Sequence, residues 1–244
     1  IIENLPKREA HQKLFKTFLD QRDKYDLLIK IDADTVLISD QFFEKIVDKF
    51  SKNPWLWVMN VGVSDFFTGK MIPAGIQIYR NTVTWDFTKE TIFTDIPIME
   101  KNQYYYDKAE LAPAAIHCKN PSKLQAFHYG VHRGLKSIQK DYSTSHWQNL
   151  QEVWHNFLYQ GDVRLGLAVL GAELVYAGKF SREDANYSNQ KMKQYLSKYK
   201  TMNASEIKGE INRLKILNWG FLPNEWRRRV LRILRGRLGN RWDK

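Results

Sequence analysis

A single cysteine, Cys118, stands among 244 residues, so no disulfide can form within the chain. Such usage suits a reducing compartment. No apolar run approaches the roughly 20 residues that cross a bilayer as a helix. The first residues, Ile-Ile-Glu-Asn-Leu-Pro, carry neither the basic flank nor the long apolar core of a secretory leader. The expectation is a cytoplasmic protein whose membrane contact, if any, is peripheral on the inner face. Internal repeats and low-complexity tracts are absent. Acidic residues are in deficit, 27 against 38 basic ones, for a net charge of +11. The imbalance is local. Residues 226–244 hold eight Arg or Lys and one acid, Asp243, so the arm carries +7 and the other 225 residues carry +4. A basic arm on a nearly balanced body argues against a fold built to bind nucleic acid.

What the chain does have is apolar mass: 43% hydrophobic and 14% aromatic residues support a core in one large domain, or a domain with an appendage. The most informative stretch is Leu27–Leu37, Leu-Leu-Ile-Lys-Ile-Asp-Ala-Asp-Thr-Val-Leu. An apolar, β-branched run of this length reads as a buried strand. On an extended backbone Asp32 and Asp34 would share one face. Ligands of open α/β sheets bind beyond the carboxyl ends of the strands. Two acids there can hold a hard divalent cation, Mn or Mg, and the cation can hold a diphosphate. The competing local reading is a helix cap or turn, which also favours Asp after a strand.

Around this stretch, apolar spacing predicts an amphipathic helix over 7–20, with Ala10, Leu14 and Phe18 on one side. A second helix runs from Ser39 or Asp40 to about Phe50 and ends at Lys52-Asn53-Pro54. Trp55–Val63 is a strand, 64–80 a loop-rich segment leading into Ile76–Arg80, and 81–110 helices with turns. From 141 onward the pattern is helical. One helix opens near Ser145, another spans Leu158 to Val175, and a third starts at Asn203 as its cap. Trp147, Trp154, Phe157 and Tyr159 read as core rather than as a sugar platform.

Residues 111–139 contain a second cluster of polar chemistry. An apolar run ends in His117 and Cys118, and a helix follows from Ser122. On that helix His128, His132, Arg133 and Lys136 recur at three-to-four spacing, so they share one side. A metallopeptidase-type His-x-x-x-His fails, because Tyr129 stands where that site needs Glu. Two readings remain: core histidines with solvated Arg and Lys, or a site for a diphosphate.

The Asp-x-Asp strand resembles that of glycosyltransferases with the GT-A fold, and Pro-Ala-Gly-Ile-Gln-Ile-Tyr-Arg (73–80) is similar to the small-residue loop before a strand in many family 2 members. The resemblance covers about residues 1–140. It implies an α/β, Rossmann-like core for transfer from nucleotide-diphospho-sugars over 1–140, with 141–222 a helical extension and 223–244 a basic amphipathic tail. It implies Asp32 and Asp34 as metal ligands, and a late histidine, His117 or His128, as a further one. Gly75 would lie close to the donor sugar, Arg133 and Lys136 would meet the leaving diphosphate, and Asp95 or Glu100 would be the catalytic carboxylate of an inverting reaction. Without such a base a retaining reaction is open. The partners implied are a nucleotide-sugar donor and a glycan or lipid-linked acceptor, in glycan or cell-surface polysaccharide synthesis. In that fold two or more strand–helix units, which bind base and ribose, precede the Asp-x-Asp strand; here one helix does. The expectation is a chain that begins inside the domain and leaves a sheet edge open.

Two other readings compete. A nucleotidyltransferase on a similar sheet uses the same metal logic. A non-catalytic module would use the arm, in which Trp226, Val230, Leu234 and Leu238 repeat every four residues with arginines between them, to bind an anionic membrane surface or polymer. Sedimentation with anionic vesicles tests the arm. Binding is expected to fall steeply with added salt, to vanish when 226–244 are removed, and to survive Asp32→Ala and Asp34→Ala.

Overall fold

The computed structural model describes residues 7–83, 85–86, 98–99, 104–107, 113–138 and 143–221. The chain divides into two compact units, Ile1–Ser122 and Lys123–Lys244. The fold is mixed α/β.

Alternation of side chains along three strands decides how the first unit packs. Leu27–Lys30 (β1) pairs antiparallel with Met71–Arg80 (β4), which pairs antiparallel with Val58–Asp65 (β3). Leu28, Tyr79 and Val58 fall in register and point to one face, where Phe15 and Phe18 of helix Lys7–Leu19 (α1) pack with them. The next row, Ile29, Ile78 and Met59, points to the opposite face. There it meets Phe42, Ile46 and Phe50 of helix Phe42–Lys52 (α2). Each helix supplies an apolar stripe and each sheet face an apolar row, so both faces are covered. Arg80 ties the layers. Its guanidinium donates to the carbonyls of Leu56, Phe50 and Asn53 and lies 5.1 Å from the centre of the Phe50 ring. It thereby satisfies carbonyls at the end of α2 that have no helical partner.

The row after these is polar. Lys30, Gln77 and Asn60 align across β1, β4 and β3, and all three are buried. Asn60 Oδ1 and Gln77 Oε1 have no hydrogen-bond partner among the described residues. Amide oxygens left so cost about 1–3 kcal/mol each, so this row weakens the α1 face where it approaches the end of β1.

Three further strands complete the sheet. Tyr104–Asp107 (β7) runs parallel to the first half of β3, and Ala115–His117 (β8) runs parallel to its end. Thr35–Leu37 (β2) pairs antiparallel with β8, giving the order β1-β4-β3-β8-β2 with β7 beside β3. Among the described residues β1 pairs with β4 alone. Trp85–Asp86 (β5) and Ile98–Met99 (β6) form a separate two-stranded ladder. The described parts of 81–110 are therefore a turn at 81–83 and three strands, not the expected helices: pairing with distant partners has overridden local propensity. The segment before Ile76, expected as loop, is likewise strand, because residues 63–64 and 71–72 pair as a hairpin.

The second unit is helical: Lys123–Ser137 (α3), Ser143–Gln160 (α4), Val163–Tyr176 (α5), Gln190–Tyr199 (α6) and Ala204–Phe221 (α7). Every residue from Leu165 to Val175 is buried, so α5 is the central helix, with α3, α4 and α7 packed on it. The expected boundary at 140 is not where the units part, since α3 belongs to the helical one. Of the four aromatics read as core, Phe157 is buried, Trp147 and Trp154 are half-buried, and Tyr159 is 92% exposed. Asn203 does cap α7: its side chain accepts from Glu206 N–H, and the Glu206 carboxylate accepts from Asn203 N–H.

The contact of α3 with α5 depends on glycines, and Gly130 makes the tightest approach. A Cβ on Gly130 would stand 1.7 Å from the carbonyl oxygen of Ala168 and 2.9 Å from its Cα. Backbone, not a movable side chain, fills that space. Gly130→Ala is expected to destabilise the helical unit by about 1–3 kcal/mol or more through forced separation of the helices. Gly209→Ala on α7, where a Cβ meets nothing within 4 Å, is expected to stabilise by up to ~1 kcal/mol. Urea unfolding followed by circular dichroism distinguishes the two signs.

Candidate metal centre

β1 stops at Lys30, and the two acids that follow do not extend it. Thr35 N–H donates to Asp32 O at 3.0 Å, which closes a turn over Asp32–Thr35. The expectation that both carboxylates share a strand face is corrected here: the turn sends the chain back into β2, and Asp and Thr suit such a turn. β2 then brings Asp34 to β8. Thr35 pairs with His117, and Cys118 N–H donates to Asp34 O at 2.8 Å. On its other side β8 lies beside β3, with His117 opposite Asp65. Backbone ladders from three strands thus place Asp34, Asp65, His117 and Cys118 together.

Asp65 is the fixed point. Its side chain is 1% exposed, and Oδ2 accepts from Thr68 N–H at 2.9 Å and Thr68 Oγ1 at 2.8 Å. Oδ1 lies 2.7 Å from His117 Nδ1. Burial pushes the carboxyl up, but the hydrogen bonds to His117 and Thr68 outweigh it and hold Asp65 below the usual carboxylate range. An ionised Asp65 only accepts, so His117 carries a proton on Nδ1 and turns Nε2 away from Asp65. That nitrogen sits 3.6 Å from Asp34 Oδ2 and 3.6 Å from Cys118 Sγ. The thiol donates to Asp34 Oδ2 at 3.1 Å. Burial, the Asp34 hydrogen bond and the charges of Asp34, Asp65 and Asp32 all push the thiol upward, so it stays protonated. Cys118 adopts φ 51°, the left-handed region that a non-glycine residue seldom enters.

Donor atoms of Asp34, His117 and Cys118 all lie within 4.8 Å of one another. A carboxylate oxygen, an imidazole nitrogen and a sulfur converge where negative charge is in excess. That donor set suits a divalent cation. Asp32 is outside the trio. It is half-exposed and accepts from the buried Lys30 Nζ at 3.1 Å, yet its charge still reaches Cys118.

The other predicted residues have different surroundings. Gly75 lies within β4, where a Cβ would meet Val63 Cγ2 at 2.1 Å, so its smallness serves the contact with β3. His128, Arg133 and Lys136 are on α3, in the helical unit. His128 Nε2 contacts the Ala185 carbonyl at 3.1 Å, and its ring stacks on His132. Arg133 lies 2.9 Å from His146 Nδ1 and over the Tyr129 ring, and Lys136 is 5% exposed. Asp95, Glu100 and the arm 226–244 lie outside the described residues. The sequence reading missed Asp65. Its signal was present: Val-Gly-Val-Ser-Asp is a second apolar strand ending in an acid, as Leu27–Asp32 is.

No family model matches the chain, and no curated protein or solved structure matches it. Among the described residues no helix is long and apolar enough to cross a membrane.

A carboxyl held below its ordinary range stabilises the fold at pH values above the unfolded-state pKa, near 3.9 for Asp, and that contribution is lost as pH falls through the folded-state value. Asp65→Asn is therefore expected to cost about 1.5–3 kcal/mol at pH 7, the range for hydrogen bonds to charged groups. The difference from the parent should shrink toward pH 3. Urea melts at the two pH values measure it.

Proposed function

We propose that this chain is the metal-binding core of a GT-A, family 2-like glycosyltransferase, which moves a sugar from a nucleotide-sugar donor to an acceptor hydroxyl during glycan or cell-surface polysaccharide synthesis. The observation that carries the reading is the convergence of Asp34 and His117. Both stand out in the sequence as polar ends of apolar runs, and their donor atoms come within 3.6 Å. The mixed α/β sheet, covered by α1 and α2, is compatible with such a core.

In this proposal Asp34 and His117 hold the cation, and Asp65 keeps the imidazole in the tautomer that can do so. A divalent cation bound there neutralises charge on the diphosphate as the sugar departs. Asp32, at the exposed rim and paired with Lys30, keeps the approach negative for a cation. Lys136 is too buried, and Arg133 too engaged with His146 and Tyr129, to carry the argument. The proposal therefore rests on the Asp34–His117 pair. The acceptor's proton falls to a carboxylate, with Asp95 and Glu100 as candidates.

Turnover of a panel of nucleotide-sugars by the full-length gene product tests this, before and after EDTA and with Mn, Mg, Zn or Co restored in turn. Asp34→Ala is expected to lower turnover by roughly 100-fold or more, beyond the 10–100-fold that partners of metal ligands carry. Full activity in EDTA, or in Asp34→Ala, overturns the proposal. Formation of a sugar nucleotide with pyrophosphate release, when a nucleoside triphosphate and a sugar 1-phosphate are supplied instead, assigns nucleotidyl transfer.

A further inference from the structure

We propose that Cys118 is a third protein ligand in the centre, a thiolate beside Asp34 and His117, and that the centre takes a thiophilic first-row dication of the zinc or cobalt type. The inference rests on the metal reading above and names the cation class for that site.

Spacing of the donor atoms argues for it. Zinc bonds of about 2.3 Å to sulfur, 2.0–2.1 Å to nitrogen and 2.0–2.2 Å to oxygen, set at tetrahedral angles, separate the ligand atoms by about 3.6 Å (N to S), 3.4 Å (N to O) and 3.6 Å (O to S). The observed separations are 3.6, 3.6 and 3.1 Å. Two agree closely. The third is shorter because a proton now bridges Sγ and Asp34 Oδ2, and a cation in place of that proton needs the gap to open by about 0.5 Å. Octahedral magnesium asks for oxygens about 2.9–3.0 Å apart and takes no sulfur.

The backbone holds Cys118 beside Asp34. Cys118 N–H is bonded to Asp34 O, and the residue is held at φ 51°. A separate observation points the same way. Asp65, itself 1% exposed, grips His117 Nδ1 at 2.7 Å, and a carboxylate behind the imidazole is the usual support of a metal-bound histidine. Three protein ligands leave a fourth position open, as in catalytic rather than structural zinc sites, and a water or a phosphate oxygen can fill it. When the metal–sulfur bond forms, the thiol proton passes to solvent, with Asp34 as its nearest acceptor.

Cobalt(II) alone, added to the chelator-treated chain, supplies the test. Cys118 is the one cysteine in the sequence, so a sulfur-to-cobalt charge-transfer band in the near ultraviolet reports on it without any variant. The expected result is that band, erased by zinc and untouched by magnesium. Cys118→Ser, checked for folding by circular dichroism, should lose the band and bind cobalt at least about tenfold more weakly. Cobalt bound without a charge-transfer band, with unchanged affinity in Cys118→Ser, overturns the thiolate ligand and leaves the Asp34–His117 centre standing. No binding of cobalt, zinc or manganese by the parent chain overturns both.

Discussion

The hydrogen bond between Asp65 and His117 is the interaction on which the candidate centre depends. Asp65 is nearly sealed from solvent, and an isolated carboxylate there would be driven to protonate. Two bonds from Thr68 and one from His117 prevent this. The ionised carboxylate then dictates which imidazole nitrogen carries the proton. With Nδ1 turned to Asp65, Nε2 is the nitrogen that faces Asp34 and the Cys118 sulfur. Without Asp65 the same three side chains would lack a defined tautomer and a defined ring orientation.

The arrangement is poor for stability taken by itself. Three carboxylates, Asp32, Asp34 and Asp65, act on one thiol. Lys30 answers Asp32, and beside Lys30 in its row across the sheet Gln77 and Asn60 leave amide oxygens unmet among the described residues. Local departures of this kind from good packing are expected where a protein keeps a site. The rest of the first unit compensates with two apolar layers, one on each side of the sheet. The helical unit follows the opposite policy: α5 is buried on all sides, and Gly130 lets a neighbouring backbone approach to contact distance.

Placement of the strands explains why β8, only three residues long, matters so much. It lies between β2 and β3, so its end faces an acid from each neighbour. His117 is thus bracketed by Asp34 and Asp65, and Cys118, one residue on, closes the triangle from the same end. Lengthening β1 through Asp32 would have carried both acids past this point. The turn at Asp32–Thr35 is what returns Asp34 to it.

Local pattern alone was enough to determine α1, α2, the strand character of Leu27–Lys30, Val58–Val63 and Ile76–Arg80, the start of α3 and the Asn203 cap, because each is a matter of apolar period, capping chemistry or β-branched content within a few residues. It also marked Asp34 and His117 as polar ends of apolar runs. It did not choose His117 over His128, reveal Asp65, or make Cys118 more than the residue that rules out a disulfide. Those choices belong to strand register. His117 meets Asp65 across 52 residues of chain and Cys118 meets Asp34 across 84, and no periodicity within either segment specifies such a pairing. Only the folded sheet, by setting β8 between β2 and β3 with one residue opposite another, brought carboxylate, imidazole and sulfur to a common point.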